Sequence, residues 1–170
     1  MVLGRVWRCR CAEYAGQNKQ CWWPGNFVGE SQEEQSFVLN WRSKKLVRKV
    51  ISSLAGDSIA TVATIGEMVY NKSIIRQIFG KKVDEIPVIV FTDSKNHHES
   101  IHSTSMVEDA WLIPDIAIIK EAIEQGTVTS IRRVSSGEML ANCLMKQGAS
   151  AEQLLDVLKT GEFYLPRGLE

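Results

Sequence analysis

One aspartate of this 170-residue chain stands where α/β proteins place reactive carboxylates. Asp93 follows Ile86–Phe91 and Thr92, and the run is apolar on both faces, as in a central, buried strand. Carboxylates at the carboxyl ends of central strands line functional crevices. A structural alternative exists, because Asp also caps turns well. The pattern makes Asp93 the first candidate for a functional carboxylate.

Two further polar residues are candidates only in combination with Asp93. Asp57 lies near the start of a predicted long helix, where the helix dipole favours acidic residues for purely structural reasons. Asn142 lies within the segment Leu140–Lys146, and by itself it does not indicate a function.

Two clusters of soft ligands do not match a standard metal site. Cys9, Cys11 and Cys21 follow the spacing C-x-C-x₉-C, whereas zinc sites use C-x₂₋₄-C and a second pair of ligands. Reduced, structurally incidental thiols are the favoured interpretation in a reducing compartment. The three histidines within 97–102 follow Asp93 closely, and they favour an exposed helix or turn over a metal site.

The elements that would position these residues begin after an unpatterned stretch. Residues 1–25 show neither a helical nor a strand period and close on a Pro-Gly turn. Two adjacent antiparallel strands are predicted at about 26–29 and 37–41. A long helix should begin at Ser52-Ser53 and end before Gly80. Its predicted apolar stripe comprises Leu54, Ile59, Val62, Ala63, Gly66 and Val69.

The second half of the chain alternates between helices and strands. After the buried strand we predict a short helix or turn over 95–102. A longer helix over about 107–125 follows, with Leu112, Ile116, Ile119 and Ile123 on one face, and it starts or kinks at Pro114. A strand at 128–134 and helices over about 137–146 and 151–160 complete the chain. The order β-β-α-β-α-α-β-α-α describes an α/β layered domain with mixed strand directions.

Composition restricts the class of protein. A hydrophobic content of 44% is enough for one domain with a core, and no apolar run approaches the length of a bilayer span. The N-terminus lacks the apolar core of a secretory signal, so we expect an intracellular, cytoplasmic or nuclear, protein. Net charge is zero, yet residues 1–50 hold nine Lys/Arg against four Glu. Such asymmetry is typical of some nucleic-acid-binding faces.

Five segments, in this order and spacing, resemble a known family. They are the W-x-S-K-K stretch Trp41–Lys45, Ser-Ser-Leu-Ala at 52–55, Phe-Thr-Asp-Ser-Lys at 91–95, Ile116–Gly126, and Leu-Ala-Asn-Cys-Leu-Met-Lys at 140–146. Together they are similar to the RNase H domain of copia-type retrotransposon polyproteins. Each motif alone is only moderately specific, whereas their order and spacing together are quite specific.

The resemblance implies a fold and an activity. It covers about residues 26–160, so we expect an RNase-H-like mixed β-sheet flanked by helices over 26–170, with 1–25 as a separate N-terminal segment. The family hydrolyses the RNA strand of RNA–DNA hybrids with two Mg²⁺ ions about 4 Å apart. Mg²⁺ prefers oxygen ligands, which the family supplies as a carboxylate cluster. The implied partners are an RNA–DNA hybrid or duplex and an ancestral reverse transcriptase domain, with no membrane.

The family's four acids transfer only in part to this chain. Asp93 matches the strand-end Asp, and Asp57 replaces the helix Glu with a side chain one methylene shorter. The late Asp is replaced by Asn142, which is neutral and binds Mg²⁺ less strongly. The first acid belongs on an opening strand, but Asp57 is the first aspartate of this sequence. The resemblance thus assigns the metal to Asp57 and Asp93 in a degenerate catalytic set with Asn142.

A basic stretch between the predicted strands and the long helix could contact a phosphate backbone. The Arg pair at 132–133 is a candidate extension of this surface, and the structural alternative for the stretch is a solvated strand–helix connection. The residues of the stretch are Arg42, Lys44, Lys45, Arg48 and Lys49.

Three hypotheses follow from these patterns. The chain is an active Mg²⁺-dependent ribonuclease H, a nucleic-acid-binding remnant without catalysis, or a relic of the fold with no biochemical role. The incomplete carboxylate set favours the second and third hypotheses over the first. A partner-binding module is also possible, but no exposed apolar helix stands out in the sequence as its interface.

Overall fold

A computed structural model gives the protein a mixed α/β fold, as the sequence predicted. The structure describes residues 2–3, 5–7, 27–29, 37–38, 50, 52–79, 87–104, 109–137, 139–140, 143 and 148–160, with Phe79 and everything before residue 50 described by backbone alone. In chain order the elements are β1 (Val2–Leu3), β2 (Arg5–Trp7), β3 (Phe27–Gly29), β4 (Phe37–Val38), α1 (Ser53–Phe79), β5 (Ile89–Thr92), α2 (Lys95–His102), α3 (Ile113–Glu124), β6 (Ser130–Arg133) and α4 (Glu152–Thr160).

The strands form two three-stranded sheets of opposite character. The first has the order β1-β3-β4 and is antiparallel, with Phe27 opposite Val38 and Leu3 opposite Val28. The second has the order β2-β5-β6 and is parallel throughout. This arrangement confirms both the predicted antiparallel pair and the mixed strand directions. A single residue separates the end of β1 from the start of β2, so one N-terminal stretch contributes to both sheets.

The N-terminal strands correct one expectation from the sequence. Residues 1–25 show no strand period, yet 2–3 and 5–7 are strands. Elements of two and three residues are too short to establish an alternating pattern. Their pairing partners lie far along the chain, at 28–29 for β1 and at 89–91 for β2. Sheet formation here therefore depends on long-range pairing rather than on local sequence.

The core is built around strand β5. All four of its residues are buried, and it lies between β2 and β6. This confirms the prediction of a central strand that is apolar on both faces. An apolar cluster joins β5 and β6 to helices α1, α2 and α3; its buried members are Ile65, Met68, Val88, Val90, Ile101, Ile116, Ile119, Ala122, Val128 and Ile131.

Helix α1 has the predicted length but a different buried face. Ser52 Oγ accepts a hydrogen bond from the Ala55 amide at 3.1 Å, which confirms the predicted N-cap region. The predicted apolar stripe was wrong, because its residues are half-buried or exposed. The buried side of α1 instead includes a set of polar side chains, which are Asp57, Ser58, Thr61, Thr64 and Asn71.

Local hydrogen bonds explain how a polar face can be buried. The hydroxyl of Ser58 donates to the Leu54 carbonyl at 3.0 Å, and that of Thr61 donates to the Asp57 carbonyl at 3.0 Å. A hydroxyl that bonds to the preceding turn needs no partner elsewhere, so its burial costs less. Apolar periodicity cannot detect such a face, because it counts Ser and Thr as polar.

The later elements match the predictions with shifted boundaries. Helix α2 spans 95–102 as expected, and α4 confirms the helix over about 151–160. Helix α3 begins at Ile113 instead of about 107, because Pro114 fits the first turn of a helix. Its predicted face is confirmed, and Leu112 is buried just before it. Strand β6 is shorter than the predicted 128–134.

The helix predicted over about 137–146 does not begin where expected. Residues 136–137 form a turn, and Leu140 and Cys143 have 3₁₀ geometry. The remainder of that predicted helix lies mostly outside the described residues.

Candidate functional site

Asp93 follows the carboxyl end of the central strand β5, as the sequence indicated. Its carboxylate oxygen Oδ2 accepts a hydrogen bond from Ser136 Oγ at 3.1 Å. Helix α2 has Ser94 as its N-cap residue and no side-chain cap. The structural alternative for Asp93 is therefore not supported, because its carboxylate faces a distant segment of chain rather than capping the next helix.

Parallel pairing of β5 with β6 brings Ser136 to Asp93. Thr92 is in register with Arg133, and the Val134 amide donates to the Thr92 carbonyl at 2.9 Å. The two strands therefore end side by side, and the turn after β6 begins next to Asp93. Nothing in the sequence around Ser136 could have indicated this contact, since it depends on the strand register.

Asp57 is the fifth residue of α1 and is 4% exposed. The helix dipole favours acidic residues mainly in the first turn, and the first turn of α1 contains none. Asp57 lies beyond that turn, so the helix dipole does not explain its position well. Helix α1 contacts α2, the helix that begins two residues after Asp93. The two candidate carboxylates differ in exposure, because Asp57 is buried whereas Asp93 is half-exposed.

The strand on the other side of β5 provides no carboxylate. Strand β2 places Arg5 opposite Ile89 and Trp7 opposite Phe91. The first acidic residue of the chain, Glu13, comes six residues after β2 ends. The sheet edge that contains Asp93 therefore receives no negative charge from β2.

Two groups of predicted site residues cannot be placed. Asn142 lies outside the described residues, as does the entire basic stretch that comprises Arg42, Lys44, Lys45, Arg48 and Lys49. Their roles remain predictions from the sequence.

A pocket of about 450 Å³ opens beside the Asp93 hydrogen bond. It lies between the turn after β6 and the start of α4, and Ser136, Leu140, Cys143 and Leu154 are among its lining residues. The thiol of Cys143 donates to the Leu140 carbonyl at 3.2 Å. Ser136 thus both lines this pocket and donates the hydrogen bond to Asp93.

A group of basic side chains lies on the other side of the strand end. His98 and His102 are one turn apart on α2, with ring centroids 4.4 Å apart. His102 Nε2 lies 3.3 Å from the Ile131 carbonyl oxygen of β6. We call His98, His102 and Arg133 the basic corner. The four-residue spacing of His98 and His102 was visible in the sequence and could have indicated that the two rings meet on a helix. The proximity of Arg133 could be recognised only from the fold.

The charge of His98 responds to this environment. Burial lowers the pKa of His98 below its ordinary value, and repulsion from His102 and Arg133 lowers it further. A hydrogen bond with the Ile131 backbone and attraction from Glu99 act in the opposite direction. His98 is therefore mostly neutral at neutral pH. His97, by contrast, is fully buried on the inner side of α2.

The described residues contain no cluster of three or more potential metal ligands. Asp57 and Asp93 have the oxygen donors that Mg²⁺ prefers, but two carboxylates are fewer than a two-metal centre requires. The described residues therefore do not fit the complete two-metal site that the family resemblance implies. Among the described helices, none has the length and apolar character that a bilayer span needs.

Comparison with known proteins gives no relative. No protein-family model, no curated protein and no solved structure matches this chain.

Proposed function

We propose that this chain is a retrotransposon-derived RNase-H-like domain that binds an RNA–DNA hybrid or duplex without efficient hydrolysis. Ancestrally it would have cut the RNA strand with two Mg²⁺ ions, next to a reverse transcriptase domain of the same polyprotein. The observation that carries the proposal is the placement of Asp93. It follows the central strand of a parallel β2-β5-β6 sheet, and the preceding long helix contains the buried Asp57.

The order of elements supports the family assignment. The resemblance expects an opening strand, a strand pair, a helix with an acid and a strand that ends in Asp, in that order along the chain. Strands β1 and β2, the β3–β4 pair, α1 with Asp57 and β5 before Asp93 follow this order. The shared order makes β2 the opening strand, and β2 pairs directly with β5.

The comparison of this chain with the family's order of elements also supports the loss of catalysis. The family's first acid would lie on β2, where this chain has only Arg5, Val6 and Trp7. Asn142 replaces a second acid. Each carboxylate contributes strongly to holding Mg²⁺ against its hydration shell, so losing two of four negative charges should weaken two-metal binding severely.

Hybrid binding is the first test of this proposal. A fluorescently labelled RNA–DNA hybrid is titrated with the chain at several salt concentrations, in parallel with DNA and RNA duplexes of the same length. We expect an affinity that falls steeply as salt rises, since phosphate contacts release counterions. Binding should persist in EDTA, because the proposal does not require the metal. Affinity that is absent or independent of salt would contradict it, and a chain that unfolds cooperatively yet binds nothing would instead be a relic of the fold.

Matched variants locate the contact surface. Lys44→Gln combined with Lys45→Gln should reduce affinity and lower the salt slope by about two, one unit per lost phosphate contact. Lys159→Gln is the control, because Lys159 is an exposed residue near the end of α4. Equal effects of the two changes would mean that only net charge matters.

A cleavage assay tests the catalytic half of the proposal. The labelled hybrid is incubated with Mg²⁺ or Mn²⁺, and the wild-type chain is compared with Asp93→Ala. We expect no cutting above that control. Wild-type cleavage that Asp93→Ala abolishes would show that the enzyme is still active.

A further inference from the structure

The basic corner lies at the outer edge of the β2-β5-β6 sheet. Strand β6 is the terminal strand of that sheet, and α2 packs against it. His102 Nε2 lies 3.3 Å from the Ile131 carbonyl oxygen of β6. His98 lies one turn earlier on α2, and its ring centroid is 4.4 Å from that of His102, with 49° between the ring planes. The geometry therefore brings two imidazoles together beside β6.

The charges around the corner favour an anion over a cation. Among the described residues, the charged groups that act on His98 are His102 and Glu99 of α2 and Arg133 of β6. Glu99 is the one that favours protonation, and its carboxylate also lies 3.6 Å from Lys95 Nζ. A metal cation at the histidine pair would be repelled by Arg133, whereas an anion would be attracted.

A second cationic group borders the corner. Lys120 of α3 reaches the end of α2, where its Nζ donates to the Ser103 carbonyl at 2.6 Å. Arg132 does not belong to the corner, because successive residues of a strand project to opposite faces. The fixed positive charges are therefore Arg133 and Lys120, and the nearby carboxylates are Glu99 of α2 and the half-exposed Asp93 after β5.

The position of the corner relates it to the proposed nucleic-acid site. Arg133 is in register with Thr92, the residue before Asp93, and α2 begins two residues after Asp93. The register therefore brings Arg133 to the same end of the sheet as Asp93, and the helix that bears both histidines begins at that end.

We propose that His98, His102 and Arg133 form a phosphodiester-binding corner that contacts the backbone of nucleic acid next to Asp93. This inference rests on the proposed function and names the ligand chemistry of one part of that site. The guanidinium of Arg133 and the imidazole N–H groups would donate hydrogen bonds to phosphate oxygens.

Binding at the corner should depend on pH. Burial and repulsion hold the pKa of His98 low in the free protein, and a bound anion would offset the repulsion. Binding would then be coupled to proton uptake and strengthen as the pH falls from 7.5 to 6.0.

The first experiment measures hybrid affinity at pH 6.0 and pH 7.5 by fluorescence anisotropy. For the wild-type chain we expect affinity at pH 6.0 to be about three- to tenfold higher than at pH 7.5, as for a linkage of up to one proton. The double variant His98→Gln, His102→Gln should lose most of this pH dependence. Arg133→Gln should lower the salt slope by about one, whereas Lys159→Gln should change neither quantity.

The outcomes separate the two proposals. If the wild-type chain does not bind the hybrid at all, the proposed function fails. If it binds and the histidine and Arg133 variants match the wild type in pH dependence and salt slope, the hybrid-binding function stands and the basic corner is overturned.

A second experiment tests the corner without nucleic acid. The chain has three histidines, so their ring signals can be followed individually by NMR as pH is varied. Dimethyl phosphate serves as the probe, since it is a phosphodiester whose charge stays constant over this range. We expect it to raise the titration midpoint of His98, with the signal of the buried His97 as the internal reference. Arg133→Gln should reduce the shift. Identical midpoints with and without the probe would overturn the corner as an anion site.

Discussion

Helices α1 and α3 pack against each other over one apolar cluster, yet they bury different kinds of side chain. Helix α3 buries Ile116, Ile119 and Ala122 in the arrangement that stabilises most amphipathic helices, and Asp115 in its first turn is its one buried polar residue. Helix α1 also contributes apolar residues, but its buried face includes two threonines, a serine, an asparagine and an aspartate. The two helices therefore share one core, but burying the polar side chains of α1 costs free energy that burying the apolar side chains of α3 does not.

The difference suggests a division of roles. Apolar burial contributes stability directly, whereas a buried polar group contributes only if it is hydrogen-bonded. Ser58 and Thr61 are satisfied within α1, but the Thr64 hydroxyl and the Asn71 side-chain amide nitrogen have no hydrogen-bond partner among the described residues. We infer that α3 is built mainly for stability and that α1 gives up some stability to hold polar groups, including Asp57, on its inner face.

The largest expected effect comes from truncating a buried apolar side chain of α3. Ile119→Ala should reduce the free energy of unfolding by about 3 kcal/mol, because a fully buried side chain is replaced by a cavity. Chemical denaturation monitored by circular dichroism under reducing conditions measures the change. The neighbouring Ile118→Ala is the matched control, since Ile118 is 45% exposed on the same helix and its truncation should cost well under half as much. Similar losses for both variants would mean that α3 is not anchored through its buried face.

The same contrast explains what the sequence could predict. The face of α3 was correct because large apolar residues recur every three or four positions, and such residues determine which side is buried. The length of α1 was also correct, since it depends on the Ser52 cap and on helix propensity. Its face was wrong because Ser58, Thr61 and Thr64 are buried despite their hydroxyls.

The sequence could locate only part of the candidate site, for a similar reason. The sequence located Asp93 after a central strand, because a continuous apolar run before a polar turn is a local signal. It could not locate Ser136 beside Asp93 or Arg133 beside His98, since both depend on the register between β5 and β6. The strands β1 and β2 were missed for the same reason, since their partners lie at least 25 residues away.

One glycine just after α3 and one within α1 give the next prediction, with effects of about 1 kcal/mol and opposite sign. Gly126 lies just after α3 with φ of 71°, and its amide donates to the Ile123 carbonyl at 3.0 Å. Gly126→Ala should destabilise by about 1 kcal/mol, because a Cβ is disfavoured in the left-handed region. Gly66 is exposed within α1, with nothing within 4 Å of an added Cβ, so Gly66→Ala should stabilise by about 0.5–1 kcal/mol. Thermal unfolding of both variants in one buffer tests the pair, and a destabilising Gly66→Ala would contradict a regular α1 at that position.

The smallest expected effect tests the polar face of α1 directly. Thr64 is 1% exposed, and its hydroxyl has no partner among the described residues. Thr64→Val keeps the shape and removes a buried polar group, so it should raise the free energy of unfolding by about 0.5–1 kcal/mol. Thr61→Val is the matched control, because it removes a hydroxyl that donates to the Asp57 carbonyl, and it should be neutral or destabilising by up to about 1 kcal/mol. The two residues lie on the same helix with the same substitution and near-complete burial, so helix propensity and volume cancel between them. If Thr64→Val destabilises as much as Thr61→Val, the Thr64 hydroxyl is satisfied in solution, and the inner face of α1 is a completed polar network rather than a cost to stability.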